Sequence, residues 1–242
     1  MTIDEVMARL EEAGTEQNRT IYRRHGAKDP QFGVAFSVLR PLAKSIGRDH
    51  ELARALWATG NTDARLLACM VADPKQTTDA ELDAWLAEID YYLLVDEFSR
   101  VAGLAPGVRA RMERWTASAR DWTSQAGWDL MGYLASTDAS TDTSLDDAFF
   151  LAAIERIERE IDTAGNRTRH TMNGALIAIA LRDDALREAA VAAAGRIGPV
   201  TVDHGETGCV TPGAIPYIEK SLAYREAQAA KRAAKSMASA GA

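Results

Sequence analysis

Apolar residues recur along most of the chain at intervals of three and four, the spacing that places them on one face of an α-helix. Val34, Val38, Leu42 and Ile46 form one such stripe, which ends just before Gly47. Repetition of this pattern between short polar connections predicts about a dozen helices of roughly 10 to 18 residues. The alternation typical of strands is nearly absent, so we expect an all-α protein.

Capping and helix-breaking residues predict where individual helices begin and end. Thr2 and Glu5 have the spacing of a capping box, in which each side chain binds a free backbone N–H of the other. Gly47 is a predicted helix end, because glycine readily adopts the conformation that terminates a helix. Pro41 interrupts an apolar run and either begins the helix proper or kinks it, and the sequence leaves both open.

The order of the helices predicts a repeat architecture. Consecutive helices form pairs at a loose spacing of about 35 to 45 residues, the length of a HEAT or armadillo unit. We therefore predict a HEAT/armadillo-like α-α superhelix, a solenoid of antiparallel helix pairs, with an irregular bundle as the alternative. In a solenoid the inner helices line a concave surface, where function is expected. We predict a single domain over residues 1–224 and a basic, partly frayed tail over 225–242.

The charge balance limits how this protein could bind nucleic acid. Its 242 residues carry a net charge of −7, whereas proteins that coat nucleic acid over their whole surface are usually basic. Binding to DNA would therefore require a local basic face. Two cysteines are too few for a disulfide framework, and no apolar run approaches the roughly 20 residues that span a bilayer. We therefore expect a cytoplasmic protein that contacts no membrane. We also expect a monomer.

Two clusters of basic residues could supply such a face. One lies in the N-terminal quarter and includes Arg40 and Lys44, and the other contains Arg167 and Arg169, with Asn173 one turn on. If both clusters faced one concavity, they would form a positive track for DNA phosphates. Solvated helix faces explain these charges equally well. The basic tail is either a further phosphate-binding arm or a solubilising end.

Motifs for other chemistries are missing from the sequence. It contains neither the phosphate-binding GxxxxGK[ST] loop nor the GxSxG nucleophile elbow, which excludes P-loop and α/β-hydrolase mechanisms. The loop predicted over residues 198–212 contains Cys209 and His204, but their spacing matches no zinc motif. We therefore expect neither a metal nor an organic cofactor.

The stretch from Phe32 to Pro74 resembles the opening of the DNA alkylation repair (AlkD-like) family. The matching positions are Phe32-Gly33, Leu39-Arg40, Lys44, Leu56-Trp57, Arg65, Leu67-Ala68 and Asp73-Pro74. The resemblance continues more weakly through Trp85 and Asp96 to about Ile197. It implies a stack of HEAT-like helical repeats that binds duplex DNA. It also implies N-glycosylase release of cationic N3- or N7-alkylated bases.

The resemblance identifies Asp96 as the catalytic aspartate, which would stabilise the sugar cation that develops as the glycosidic bond breaks. Tyr92 takes the place of a family tryptophan that contacts the lesion nucleotide. The two residues are four apart and so share a helix face. Trp122 and Gln125 fall in a DNA-contacting region, and Gln125 stands where the family has an arginine.

A second hypothesis follows from the departures from the family pattern. Near Met172 and Asn173 no aromatic residue replaces a second family tryptophan. Together with the acidic charge balance, this favours a catalytically inactive HEAT-repeat scaffold that binds a protein partner, or DNA without base excision. A cationic groove would indicate DNA, and a neutral or acidic groove would indicate a protein partner.

Overall fold

A computed structural model of the chain describes residues 1–137 and 145–240, with side chains to residue 233. These residues form thirteen α-helices. They are α1 Ile3–Ala13, α2 Glu16–Arg24, α3 Phe36–Ile46, α4 His50–Ala58, α5 Thr62–Val71, α6 Asp79–Glu88, α7 Tyr92–Leu104, α8 Val108–Thr116, α9 Asp121–Ser136, α10 Asp147–Glu160, α11 Asn166–Ala180, α12 Asp184–Ile197 and α13 Ala214–Ala240. No strand occurs in the described ranges, and the prediction of an all-α protein is confirmed.

Polar side chains and glycines set the helix ends that the sequence predicted. The hydroxyl of Thr2 accepts a hydrogen bond from the Glu5 N–H, and the Glu5 carboxylate accepts one from the Thr2 N–H, completing the predicted capping box. Gly47 follows the last residue of α3 with a φ of 76°. Pro41 lies inside α3, five residues after Phe36, so it does not begin the helix.

The Phe32-Gly33 pair has a structural explanation in a buried carboxylate at the start of α5. Asp63 is fully buried and accepts hydrogen bonds from the backbone N–H groups of Phe32, Gly33 and Val34, at 2.6, 3.0 and 2.7 Å. Gly33 has a φ of 76°, and an added Cβ would lie 2.6 Å from the Arg19 nitrogen. Only glycine fits this contact without displacing backbone.

The described residues fall into two compact units. The first contains residues 1–131, 165–168 and 202–210, and the second contains the described residues of 132–164, 169–201 and 211–242. Helices α9 and α11 contribute residues to both units. The tail predicted over 225–242 lies on α13 as far as Ala240.

In the first unit, α5 packs against α3, α4 and α7 around a core rich in aromatic residues. Trp57 and Trp85 stack with their ring centroids 4.4 Å apart and their planes 2° from parallel. The Phe98 ring lies 5.7 Å from that of Trp115. All four rings are buried and form part of the core.

In the second unit, α12 packs against α10 and α13. Arg182, just after α11, caps the end of α9 by donating to the carbonyls of Leu134, Ala135 and Thr137. Its guanidinium lies 4.2 Å from the ring centroid of Phe150. Among the described residues, no helix combines the length and the apolar character needed to cross a membrane.

Candidate functional site

Helix α7 carries the two residues predicted to be catalytic. Tyr92 is its first residue and Asp96 lies one turn later, so both project from the same face. Val95 and Phe98 of α7, and Tyr91 just before the helix, are buried and hold the other side of α7 in the core. Tyr92 and Asp96 are each partly exposed. The packing of α7 therefore leaves this face partly exposed.

Helix α9 brings a second pair of polar residues to the same place. The amide Nε2 of Gln125 donates to Oδ1 of Asp96 at 3.2 Å, and the Ser99 hydroxyl of α7 donates to Oδ2 of Asp129 at 3.1 Å. Gln125 is fully buried, and its Oε1 atom has no hydrogen-bond partner within the described ranges. Gln125 and Asp129 are four apart on α9 and so share a face, which adjoins Asp96.

Arg167 reaches this cluster from the first turn of α11. The Asp121 carboxylate accepts hydrogen bonds from the backbone N–H groups of Arg167 and Thr168, at 3.0 and 2.8 Å, and so caps that turn. The guanidinium carbon of Arg167 lies 4.2 Å from the centroid of the Tyr92 ring, a cation–π distance. Arg167 is only 8% exposed. Its side chain therefore faces the cluster rather than bulk solvent.

The electrostatics of the cluster are set by the carboxylates of Asp96 and Asp129 and by the guanidinium of Arg167. Burial raises the pKa of Asp96 to about 6, although Arg167 and the Gln125 amide act in the opposite direction. Burial also raises the pKa of Asp129 well above its usual range, and the charge of Asp96 adds to this effect. A buried carboxylate is stabilised either by binding a proton or by a cation close to it. The arrangement can therefore stabilise positive charge.

Two further groups border Tyr92. Its hydroxyl is hydrogen-bonded to Nδ1 of His25 at 2.6 Å, and the two rings are tilted by 51° with centroids 5.8 Å apart. Burial raises the pKa of Tyr92, with a smaller contribution in the same direction from Cys209. The pKa of His204 is lowered by burial and then by the charge of Arg167. Cys209 and His204, both in the 202–210 loop, therefore interact electrostatically with the Tyr92–Arg167 pair.

That loop is attached to the start of α11 by two reciprocal hydrogen bonds. The Asn166 amide donates to the Asp203 carbonyl at 2.8 Å, and the Asp203 N–H donates to Asn166 Oδ1 at 2.7 Å. Across the described part of the chain, no three His, Cys, Asp or Glu side chains are grouped as metal ligands would be.

A buried glutamate next to Asp96 holds two exposed arginines. Glu97 has an 11% exposed side chain, and its carboxylate lies 3.7 Å from the guanidinium of Arg40 and 3.5 Å from that of Arg100. The arginine side chains are 65% and 69% exposed, respectively. Lys44, one turn beyond Arg40 on α3, is also exposed. We call Arg40, Lys44, Glu97 and Arg100 the arginine edge.

The nine predicted site residues thus divide among four parts of the structure. Tyr92, Asp96, Gln125 and Arg167 form one cluster, and Arg40 and Lys44 belong to the neighbouring edge. Trp122 is half-buried in the first unit. Arg169 and Asn173 belong to the second unit, where Arg169 is half-buried and the buried Asn173 amide donates to the Pro212 carbonyl at 3.0 Å.

Sequence reasoning missed two members of this region. Arg100 lies four residues after Asp96, and this helical spacing could have identified it. His25 could not be identified from the sequence, because its hydrogen bond to Tyr92 joins residues far apart in the chain. Nothing in the local pattern near Arg167 indicated that its side chain stacks on Tyr92.

The chain is similar to known proteins over most of its length. The family model described as "DNA alkylation repair enzyme" matches residues 6–218. The chain is 28% identical to the uncharacterized protein Lin0241 of Listeria innocua serovar 6a, over 91% of this chain and 97% of that protein. It matches the uncharacterized protein Lmo0209 of Listeria monocytogenes serovar 1/2a at the same identity and coverage.

A solved structure agrees with this fold over nearly the whole chain. It is described as "a new family of proteins related to the HEAT-like repeat DNA glycosylases with affinity for branched DNA structures". The TM-score is 0.83 at 30% sequence identity, covering 93% of this chain and 95% of that one. This similarity confirms the HEAT-like fold predicted from the paired helices.

Proposed function

Because this chain belongs to the DNA alkylation repair enzyme family, we propose that it binds duplex DNA, including branched duplexes, through the arginine edge. The observation that carries this proposal is the similarity to a HEAT-like protein with affinity for branched DNA. That similarity extends over 93% of this chain, at an identity of 30%. The DNA-binding role predicted for Arg40 and Lys44 is part of this proposal.

The arginine edge has the chemistry to bind phosphates. Guanidinium groups make paired, charge-assisted hydrogen bonds to phosphate oxygens, which a lysine makes less specifically. Ion pairs with Glu97 restrain the side chains of Arg40 and Arg100. These side chains therefore lose less entropy when they bind a phosphate. An acidic protein with a net charge of −7 needs such a local concentration of cations to bind DNA.

Base excision is the second candidate function, and the half-buried carboxylate of Asp96 favours it. A carboxylate in a poorly solvated site can stabilise a developing sugar cation. Release of 7-methylguanine from alkylated duplex DNA tests this function directly. Release by the wild-type protein that is lost in Asp96→Asn would establish excision. Absence of release, with DNA binding retained, would leave binding as the activity.

The test of DNA binding compares a labelled four-way junction with a linear duplex of matched length by fluorescence anisotropy. We expect wild-type protein to bind both and to prefer the junction. Arg40→Ala combined with Arg100→Ala should weaken binding about tenfold or more, since two phosphate contacts are lost. Unchanged affinity of this double variant would disprove the assignment to the arginine edge.

Arg54→Ala provides a matched control. Arg54 is 59% exposed, belongs to the same unit and lies 3.6 Å from Glu81, a glutamate whose side chain is only 16% exposed. It resembles Arg40 in exposure and pairing but does not belong to the arginine edge. We expect Arg54→Ala to bind the junction as the wild type does. An equal loss in both variants would indicate a nonspecific effect of charge.

A further inference from the structure

The guanidinium of Arg167 lies at the candidate site, beside the Tyr92 ring, where a bound cation would be expected. The Arg167 guanidinium carbon lies 4.2 Å from the Tyr92 ring centroid, a distance that suits a cation–π contact. Its charge also acts on both Asp96 and Asp129. An aromatic face beside two carboxylates suits a planar organic cation, and the Arg167 guanidinium is such a cation.

We propose that Arg167 is a resident cation that closes the Tyr92–Asp96–Asp129 site, and that removing its side chain opens a binding site for small planar cations. Arg167 was predicted to position a phosphate, but its 8% exposure and its stacking on Tyr92 favour this internal role. The arginine edge can then bind DNA while the neighbouring carboxylates stay closed to external cations.

The backbone around Arg167 is built to hold it in place. A positively charged residue in the first turn of a helix is disfavoured by the helix dipole. Here the Asp121 carboxylate offsets this effect by capping the first turn of α11 through Arg167 and Thr168. Gly165 allows the approach, since an added Cβ would lie 2.2 Å from Asp121 Oδ1. These contacts fix the start of the Arg167 side chain beside Tyr92.

Gln125 supports the interpretation of a closed polar site. Its Nε2 donates to Asp96, while its buried Oε1 has no hydrogen-bond partner within the described ranges. A buried carbonyl oxygen without a donor costs free energy. A planar cation with several N–H groups could supply that donor once the Arg167 side chain is removed.

The test uses Arg167→Ala with methylguanidinium as the probe, in the full-length protein without DNA. We expect methylguanidinium to raise the melting temperature of Arg167→Ala in a saturable way at millimolar concentration and to have no such effect on the wild type. Adding Asp96→Asn should weaken this binding about tenfold, because a charge-assisted contact is lost. Equal responses of wild type and Arg167→Ala, or no effect of Asp96→Asn, would overturn the proposal.

A second measurement covers the case in which Arg167→Ala does not fold. Arg167→Met keeps most of the side-chain volume, and carboxyl NMR then follows the titration of Asp96. We expect the pKa of Asp96 to rise above its wild-type value, because Arg167 lowers it in the native protein. The charges that remain around Asp96 are those of Glu97, Arg100 and Asp129. An unchanged pKa would also overturn the proposal.

Arg182→Ala is the matched control for these measurements. Arg182 also stacks on an aromatic ring at 4.2 Å, but it donates hydrogen bonds to backbone carbonyls of the second unit. Its removal should leave the pKa of Asp96 unchanged. The inference rests on the proposed function, because it concerns the same region of the protein. The methylguanidinium test is nevertheless made without DNA. If methylguanidinium does not bind, the proposal of junction binding still stands. If the junction does not bind, the proposal about Arg167 still stands.

Discussion

Arg167 stacks on Tyr92 across two helices that are far apart in the sequence, with 4.2 Å between the guanidinium carbon and the ring centroid. This contact joins the aromatic residue predicted to touch a nucleotide to an arginine predicted to touch a phosphate. It leaves Arg167 only 8% exposed. Arg167 is therefore buried against Tyr92, whereas Arg40 and Arg100 of the arginine edge are exposed and carry the proposed DNA contacts.

The titration of Asp96 predicts how stability depends on pH. Its pKa is raised to about 6 in the folded protein, so between about pH 4 and 6 the folded state binds more protons than the unfolded state. Stability should therefore fall as pH rises through this range and level off above it. Asp96→Asn removes the buried charge and should be more stable than wild type at pH 7, by about 1 to 3 kcal/mol.

Urea unfolding of both proteins between pH 4 and pH 8 checks this prediction, with the difference expected to shrink towards pH 4. A constant difference across the range would show that the Asp96 carboxylate is not the group responsible.

The salt dependence of DNA binding predicts how many phosphate contacts the arginine edge makes. Each contact releases counterions, so the slope of log affinity against log salt should become less steep by about one for Arg40→Ala. Junction titrations at several salt concentrations measure this slope. The Arg54→Ala control should keep the wild-type slope. A wild-type affinity that did not respond to salt would argue against phosphate binding.

Gly33 is predicted to be essential for the packing of the first unit. Gly33→Ala places a Cβ 2.6 Å from the Arg19 nitrogen at a φ of 76°, so we expect a loss of about 2 to 4 kcal/mol in unfolding free energy. Gly47 has the same φ of 76° but no atom within 4 Å of an added Cβ. Gly47→Ala should therefore cost only about 1 kcal/mol. Equal losses in urea unfolding would mean that the contact with Arg19 is unimportant.

Asp63 is predicted to be a structural carboxylate. Asp63→Asn leaves one oxygen to accept from three backbone N–H groups and should cost about 2 to 4 kcal/mol in unfolding free energy. Asp49 accepts one N–H as the N-cap of α4, a position where asparagine serves equally well. Asp49→Asn should therefore be nearly neutral. Thermal and urea unfolding of both variants provide the comparison.

The sequence by itself determined the features that depend on near neighbours along the chain. The capping box of Thr2 and Glu5 and the end of α3 before Gly47 follow from backbone hydrogen bonding within a few residues. The shared face of Tyr92 and Asp96 follows from the helical repeat of 3.6 residues. The pairing of helices, read from the spacing of these local signals, predicted the HEAT-like fold.

Only the tertiary structure decided which charges meet. Arg40 comes near Glu97 because α3 and α7 both pack on α5, and Arg167 reaches Tyr92 because Asp121 of α9 caps α11. These contacts join residues that are distant in the sequence, and no local periodicity encodes them. The spacing of basic residues showed that cations were available. Packing decided that Arg40 stays exposed while Arg167 is buried against two carboxylates.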